Sequence, residues 1–208
     1  MTRAWRVGRV LVALLMLAAV VRLLVDSIQD GDFVFWNFFG YFTIQNNLIG
    51  VAALLIAAGY TGLARPQWVE YLRACGTTYL FIVVTVYWTL LMPTSEDSPW
   101  TWTNLVVHGI SGVALVVDWL VEGPRERLPL RRVWVVLTYP TLWLAVSLVR
   151  GATDGWVPYP FLDPANGYAS VAVYVGVIFV VGVLVGSAVF VTTRWRRISP
   201  GAAVDSAP

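Results

Sequence analysis

Apolar residues fall into runs separated by short polar connections, and each run is long enough to cross a bilayer as about 20 residues of helix. Six such stretches are present, at about 9–26, 33–60, 72–92, 100–121, 133–150 and 168–193. They predict an all-α polytopic membrane protein built as a six-transmembrane-helix bundle. The first stretch is flanked by Arg, as a signal peptide would be. It nevertheless runs to Val25 with only Arg22 interrupting it, and no A-x-A cleavage site follows, so it reads as a retained helix. The short connections leave room for a single domain over 1–197, and the small, polar, Pro-containing segment 198–208 reads as a disordered tail. Gly182 and Gly186 form a GxxxG pair in the last stretch, a pattern that favours close helix packing.

Polar residues inside these runs are costly, so their placement carries information. At 100° per residue, Asn104, His108, Ser111, Leu115 and Asp118 fall within about 40° of one line on the fourth span. Leu105, Val106, Val113, Val116, Val117 and Leu120 fall on the other side. His108 is therefore expected to face protein or an internal cavity, and Asp118 to meet Arg73 or reach the interface. On the second span Thr43, Asn47 and Gly50 share a face, with Asn46 beside it. If Asp32 caps that helix, Thr43 lies about 16 Å along it, near the depth of His108; if the helix starts near Tyr41, Thr43 lies at its rim. Thr78, Thr85, Thr89 and Met92 stripe the third span, with Tyr87 and Trp88 nearby. Threonine can bond its own helix backbone, so that stripe is read as structural. Between spans five and six, Gly155-Trp156-Val157-Pro158-Tyr159-Pro160-Phe161-Leu162-Asp163-Pro164 is rigid and aromatic, and its prolines preclude a regular helix. Trp156, Tyr159, Phe161 and Asp163 make it either an interfacial anchor or a lid over a cavity.

Composition and charge narrow this further. Of 208 residues, 58% are hydrophobic and 12% charged, and the mean hydropathy is +0.71, which excludes both a soluble globule and a disordered chain. The formal net charge of +2 conceals a sorting. All 14 basic residues are Arg, and 12 of them (Arg3, Arg6, Arg9, Arg65, Arg73, Arg125, Arg127, Arg131, Arg132, Arg194, Arg196 and Arg197) fall on one side. Asp26, Asp30, Asp32, Glu96, Asp97, Asp154 and Asp163 fall on the other, with Arg150; Arg22 lies within or at the end of the first span. The positive-inside rule then puts both termini in the cytoplasm. One cysteine, Cys75, excludes an internal disulfide framework, and with one histidine no His/Cys metal site, paired-His haem or iron–sulfur cluster is expected. No cofactor, metal or nucleic-acid partner is expected; membrane lipids are, and protein partners are not specified.

A nucleophile for His108 has to be Ser, Thr or Cys within its reach. Gly109-Ile110-Ser111-Gly112 matches the GxSG string of rhomboid proteases, but spans five and six hold no histidine to serve it, and that reading is rejected. Thr43 sits on another helix and can be approached from across the bundle.

The string Phe39-Gly40-Tyr41-Phe42-Thr43-Ile44-Gln45-Asn46-Asn47-Leu48, then Asn104 and His108, then Asp118, Arg150-Gly151 and Gly155-Trp156-Val157-Pro158-Tyr159-Pro160-Phe161-Leu162-Asp163 together resemble the bacterial branch of the FAR-17a/androgen-induced-protein (ADTRP-like) family of six-pass membrane proteins. The resemblance covers nearly the whole chain. It implies an intramembrane threonine hydrolase of fatty acyl esters in a bacterial cytoplasmic membrane. Thr43 stands at the position of the nucleophile and His108 at that of the base. Asn46, Asn47, Asn104 and Ser111 are candidate polar or oxyanion-holding groups, and Asn104, one turn from His108, is also placed to orient its ring. The implied substrate is a lipid ester reaching the pair from the outer leaflet. Two other classes stay open: a structural or partner-binding membrane protein using the polar stripes as helix glue, and a small transporter or proton relay along Thr43, Asn47, His108 and Asp118.

Overall fold

A computed structural model describes residues 2–94, 100–124 and 126–194. The tail expected over 198–208 lies outside the described residues, as do Glu96, Asp97, Arg125, Arg196 and Arg197. Among the described residues eight α-helices are formed: α1 (Thr2–Gln29), α2 (Phe35–Phe38), α3 (Phe42–Gly59), α4 (Gln67–Val86), α5 (Trp102–Leu105), α6 (Ser111–Val121), α7 (Trp134–Thr153) and α8 (Tyr168–Thr192). π-helical turns extend α4 over Tyr87–Leu91 and join α5 to α6 over Val106–Ile110. Six continuous helical stretches are long and apolar enough to span a membrane, and the described residues contain no strand. Helix suits such segments, because a backbone placed in hydrocarbon has to satisfy its polar groups within its own segment.

The helices pack by their small and apolar stripes. On α1 the inward line is Arg9, Ala13, Met16 and Val20, all buried, while Val7, Leu11 and Leu14 face outward. Gly50 lets α1, α3 and α4 converge: a Cβ there would lie 2.6 Å from Leu80 and 2.9 Å from Met16. Helix α4 is central and touches α3, α6, α7 and α8. Gly186 seats α8 on α7, since a Cβ would lie 2.7 Å from Val136, as the GxxxG pair led one to expect.

Two local features differ from the sequence pattern. The second span does not start at residue 33, and Asp32 does not cap it. The apolar run breaks after the single turn α2, and α3 begins at Phe42, so Thr43 stands in the first turn. Gly40 permits the break, because a Cβ would lie 2.5 Å from the Trp156 ring and 2.6 Å from the Trp36 carbonyl oxygen. Val106, expected on the outward side of the fourth span, is buried. The π turn inserts an extra residue into the helical repeat and rotates that stretch inward. Val113, Val117 and Leu120 face outward as expected.

At the end of the bundle that holds the start of α4 and the end of α6, six ionised side chains close into one buried cluster. Arg9 bonds Asp118 at 2.6 Å and meets Glu122 at 2.5 Å. Arg73 bonds Asp118 and Glu70, each at 2.8 Å, and Arg65 reaches Glu70 at 3.3 Å and also pairs with Glu122. Arg73 also donates to the backbone carbonyls of Asp118 and Glu122. Asp118 thus meets Arg73 rather than the interface. Three cations and three anions cancel, and each cation is multiply paired, which is the condition under which buried charge is tolerated.

Removing one member leaves an uncompensated charge, at a cost of about 3–5 kcal/mol. Asp118→Leu is expected to lower the thermal midpoint in detergent by roughly 10 °C. Arg9→Leu/Asp118→Leu together should lower it by less than the sum of the two single changes. Additive losses in a differential scanning assay would contradict a coupled cluster.

Candidate active site

At the other end of the bundle, the first turn of α3, the π turn between α5 and α6, and the loop after α7 meet. Thr43 Oγ1 lies 3.3 Å from His108 Nε2. The other ring nitrogen, Nδ1, lies 2.7 Å from Asn104 Oδ1. Asn104 uses its amide nitrogen to donate to the Tyr87 hydroxyl, which leaves its carbonyl oxygen aimed at the imidazole. Neutral His108 is thereby held with its proton on Nδ1 and a free lone pair on Nε2 toward Thr43. The ring is further fixed by stacking on Tyr87, with centroids 3.8 Å apart and planes 14° apart. Trp88 donates to the His108 carbonyl at 2.8 Å, satisfying backbone that the π turn displaces. Thr101 caps α5 by accepting from the Asn104 N–H, so the Asn104–His108 pair stands on a defined helix start.

Thr43 is bonded from a second direction as well. The Tyr159 hydroxyl accepts from the Thr43 N–H at 3.2 Å and lies 3.3 Å from Thr43 Oγ1. Burial pushes the Tyr159 phenol up to about 12, against the opposite pull of its hydrogen bonds to Thr43, so it stays a protonated donor at neutral pH. The segment around it folds onto the bundle rather than away from it. Trp156 packs on Gly40 and lies under the Arg150 guanidinium, 4.1 Å from ring centroid to cation. Arg150 in turn donates to the Trp36 carbonyl and to Asn37 Oδ1. Phe161 stacks on Tyr159 with centroids 5.4 Å apart. Asp163 caps the turn at Pro164–Asn166 by accepting from the Ala165 N–H.

The remaining residues proposed from the sequence have other partners. Asn47 donates to the carbonyls of Thr43 and Val107, at 2.9 and 3.1 Å, which commits both of its amide hydrogens. Asn46 donates to Phe42 O at 2.7 Å. The Ser111 hydroxyl returns to Val107 O. All three are fully buried; Asn47 ties α3 to the π turn, Asn46 and Ser111 return to carbonyls four residues back, and none of them is aimed at Thr43 Oγ1 as an oxyanion donor. Thr85 and Thr89 donate to carbonyls of their own helix, in line with the structural reading of that stripe.

A narrow apolar cleft runs between α4, α7 and α8 and reaches Thr43. Its walls include Ile82, Leu137, Leu144, Ile178 and Phe179, and Tyr159 and Phe161 close it at the Thr43 end. His108 lies behind Thr43, outside the cleft wall. Sequence reading did not single out Tyr139 and Trp143, which frame the turn: Tyr139 donates to Gln45, and Trp143 donates to Gly40 O at 2.8 Å. Their spacing of four on α7 was the available signal. Among the described residues no group of three or more His, Cys, Asp or Glu is placed to hold a metal ion.

Fold and site together define a class: an all-helical protein with six potential spans and a Thr–His–Asn hydrogen-bonded array at one end, beside an apolar cleft. No family model, curated protein or solved structure matches the chain.

Because the chain has one histidine, 15N-histidine NMR reads this array directly. The spectrum of the neutral ring is expected to show predominantly the Nδ1–H tautomer. Asn104→Leu removes a hydrogen bond of ~1 kcal/mol and should move the tautomer ratio about five-fold toward Nε2–H. An unchanged ratio would show that Asn104 does not set the ring.

Proposed function

We propose that this protein is a multi-pass membrane hydrolase of fatty acyl esters, with Thr43 as nucleophile and His108 as general base. The observation that carries the reading is the contact of the Thr43 hydroxyl with a histidine nitrogen whose opposite nitrogen is fixed by Asn104. A nucleophile, a base and an orienting group in that order are what acyl transfer requires. The apolar cleft ending at Thr43 supports a substrate with a long hydrocarbon arm, and its opening between helices supports lateral access from lipid. The reading agrees with the family resemblance drawn from the sequence.

In this mechanism the Thr43 Oγ–H proton passes to His108 Nε2 as Oγ bonds to the ester carbonyl carbon. The tetrahedral intermediate collapses, and the leaving alcohol takes the proton from Nε2. Water then attacks the acyl-threonine, giving its proton to His108 Nε2; collapse breaks the Oγ–C bond, returns that proton to Thr43 Oγ and releases the fatty acid.

We also infer a cytoplasmic location for both termini, which puts the Thr43 site in the outer half of the membrane. The support is the exposure of Arg3, Arg6, Arg127, Arg131, Arg132 and Arg194 at the end bearing the ion cluster. Arg9, Arg65 and Arg73 are neutralised within the cluster and add nothing to that bias. A proton relay along the fourth span is less well supported: Leu115, 1% exposed, lies between His108 and Asp118 on the polar line.

Purified protein in detergent is expected to hydrolyse a long-chain p-nitrophenyl ester and to be labelled at Thr43 by a fluorophosphonate. Thr43→Ala should abolish both, and His108→Ala should slow both by about 10²–10⁴-fold, the usual contribution of a general base. Full activity in either variant, measured against a folded control, would rule the reading out.

A further inference from the structure

The groups first considered for the oxyanion are spent elsewhere: Asn47 and Asn46 donate to backbone carbonyls, and Asn104 holds His108. An ester carbonyl that reaches Thr43 therefore needs another donor. The hydroxyl nearest to Thr43 Oγ1, apart from the His108 side, is that of Tyr159, which also touches the Thr43 N–H.

We propose that Tyr159 is a catalytic residue of the hydrolase proposed above, donating a hydrogen bond from its phenolic O–H to the oxyanion that forms when Thr43 attacks the ester. The Tyr159 oxygen lies 3.2 Å from Thr43 N and 3.3 Å from Thr43 Oγ1, so it shares with the nucleophile the space that a reacting carbonyl oxygen has to enter. Without substrate the hydroxyl rests on the Thr43 N–H. A carbonyl oxygen inserted between the two accepts from both, and an outward movement of the phenol on the order of 1 Å makes room for two bonds of ordinary length. Attack forms the Oγ–C bond and moves the carbonyl π pair onto oxygen. The hydrogen bonds from Tyr159 and the Thr43 N–H stabilise that charge, and the pair returns as the alcohol leaves with the proton held on His108. Tyr159 keeps its own proton throughout.

The ring is positioned for this work. It packs between Trp143, Tyr41 and Phe161, with centroids 6.0, 6.0 and 5.4 Å away, and it forms part of the wall of the apolar cleft. The donor is thus set in an apolar surround, where a hydrogen bond to a developing charge has its largest effect. The prolines on both sides, Pro158 and Pro160, limit the backbone that carries it.

The inference rests on Thr43 acting as nucleophile, and the test separates the two. Tyr159→Phe keeps the ring and removes only the hydroxyl. The expected result is a fall in kcat for the long-chain p-nitrophenyl ester of about 10²–10³-fold, the loss typical of one oxyanion donor. KM should stay within about three-fold and the thermal midpoint should be unchanged. A wild-type kcat in Tyr159→Phe, with Thr43→Ala silent, overturns the role of Tyr159 and leaves the Thr43 reading standing. So does a loss confined to KM or to thermal stability, which would mark Tyr159 as packing. Failure of wild-type protein to label at Thr43 overturns both. If Tyr159→Phe does not fold, 3,5-difluorotyrosine at position 159 retains the shape and ionises at lower pH. Activity should then disappear at an alkaline pH where the wild type still works, and an unshifted pH profile overturns the proposal.

Discussion

Three arginines and three carboxylates buried at one end of the bundle fix the relation among its helices. Arg9 comes from α1, Arg65 from the connection before α4, Glu70 and Arg73 from α4, Asp118 from α6 and Glu122 from just beyond it. No member can slide along its helix without leaving a charge unpaired in an apolar setting, and such a loss is far larger than any single packing contact. The planar guanidinium fork adds direction, since Arg73 meets Asp118 through two nitrogens. Helix α3 is tied to this end more lightly, by Arg9 to the Ala57 carbonyl at 3.5 Å. Its depth is set further along by Gly50 against Leu80 and Met16, and by Asn47 to the Val107 carbonyl. The cluster thus acts at a distance on the opposite end, where Thr43 on α3 has to meet a histidine carried by the turn before α6.

That opposite end is built from interruptions. A helix break at Gly40, two π turns and a proline-rich loop would each be a weakness in a bundle held by packing alone. Here the break and the π turn at His108 expose backbone groups that aromatic neighbours take up: Trp143 on the Gly40 carbonyl, Tyr159 on the Thr43 N–H and Trp88 on the His108 carbonyl. Tryptophan and tyrosine suit the task because each brings one polar atom on a large apolar body.

How much of this could be read in the chain depended on period. The six spans and the inward line of Asn104, His108, Ser111 and Asp118 follow from composition and the 3.6-residue repeat, whereas the pairing of Thr43 with His108 comes from the family resemblance, because the depth match required Asp32 to cap a helix that in fact starts at Phe42. The break before Phe42 was hidden because Val34 to Phe42 is apolar and aromatic throughout, so hydropathy runs on where the helix does not. The π turns shift the repeat over only five residues each, too few to disturb a periodic pattern, and Val106 was misplaced for that reason. The ion cluster was hidden by a rule that works on average: Arg near a span end is taken to face the interface, but Arg9 lies on the same helical line as Ala13 and Met16 and points inward. Asn46 and Asn47 were credited with chemistry because amides inside an apolar helix are expensive. Their amide nitrogens donate to backbone carbonyls instead, while their side-chain oxygens are buried without a hydrogen bond among the described residues.

The conformation of Thr43 bears on whether the cluster is glue or machinery. A threonine within a helix usually returns its hydroxyl to the carbonyl four residues back. Thr85, Thr89, Thr138, Thr141 and Thr153 all do so in this protein. Thr43 has no such option. It stands in the first turn of α3, and the carbonyl four residues back, on Phe39, lies outside the helix and already accepts from the Gln45 amide at 2.5 Å. Its hydroxyl is released from the backbone and turned to the only histidine in the chain, at the closed end of an apolar cleft. Gluing α3 to the π turn does not require this, because Asn47 already joins the two through Val107. A helix start placed one residue either way would rotate the hydroxyl by about 100° and lose the alignment. The break at Gly40, the Gln45 bond and the aromatic frame around them are best understood as holding that one residue in register.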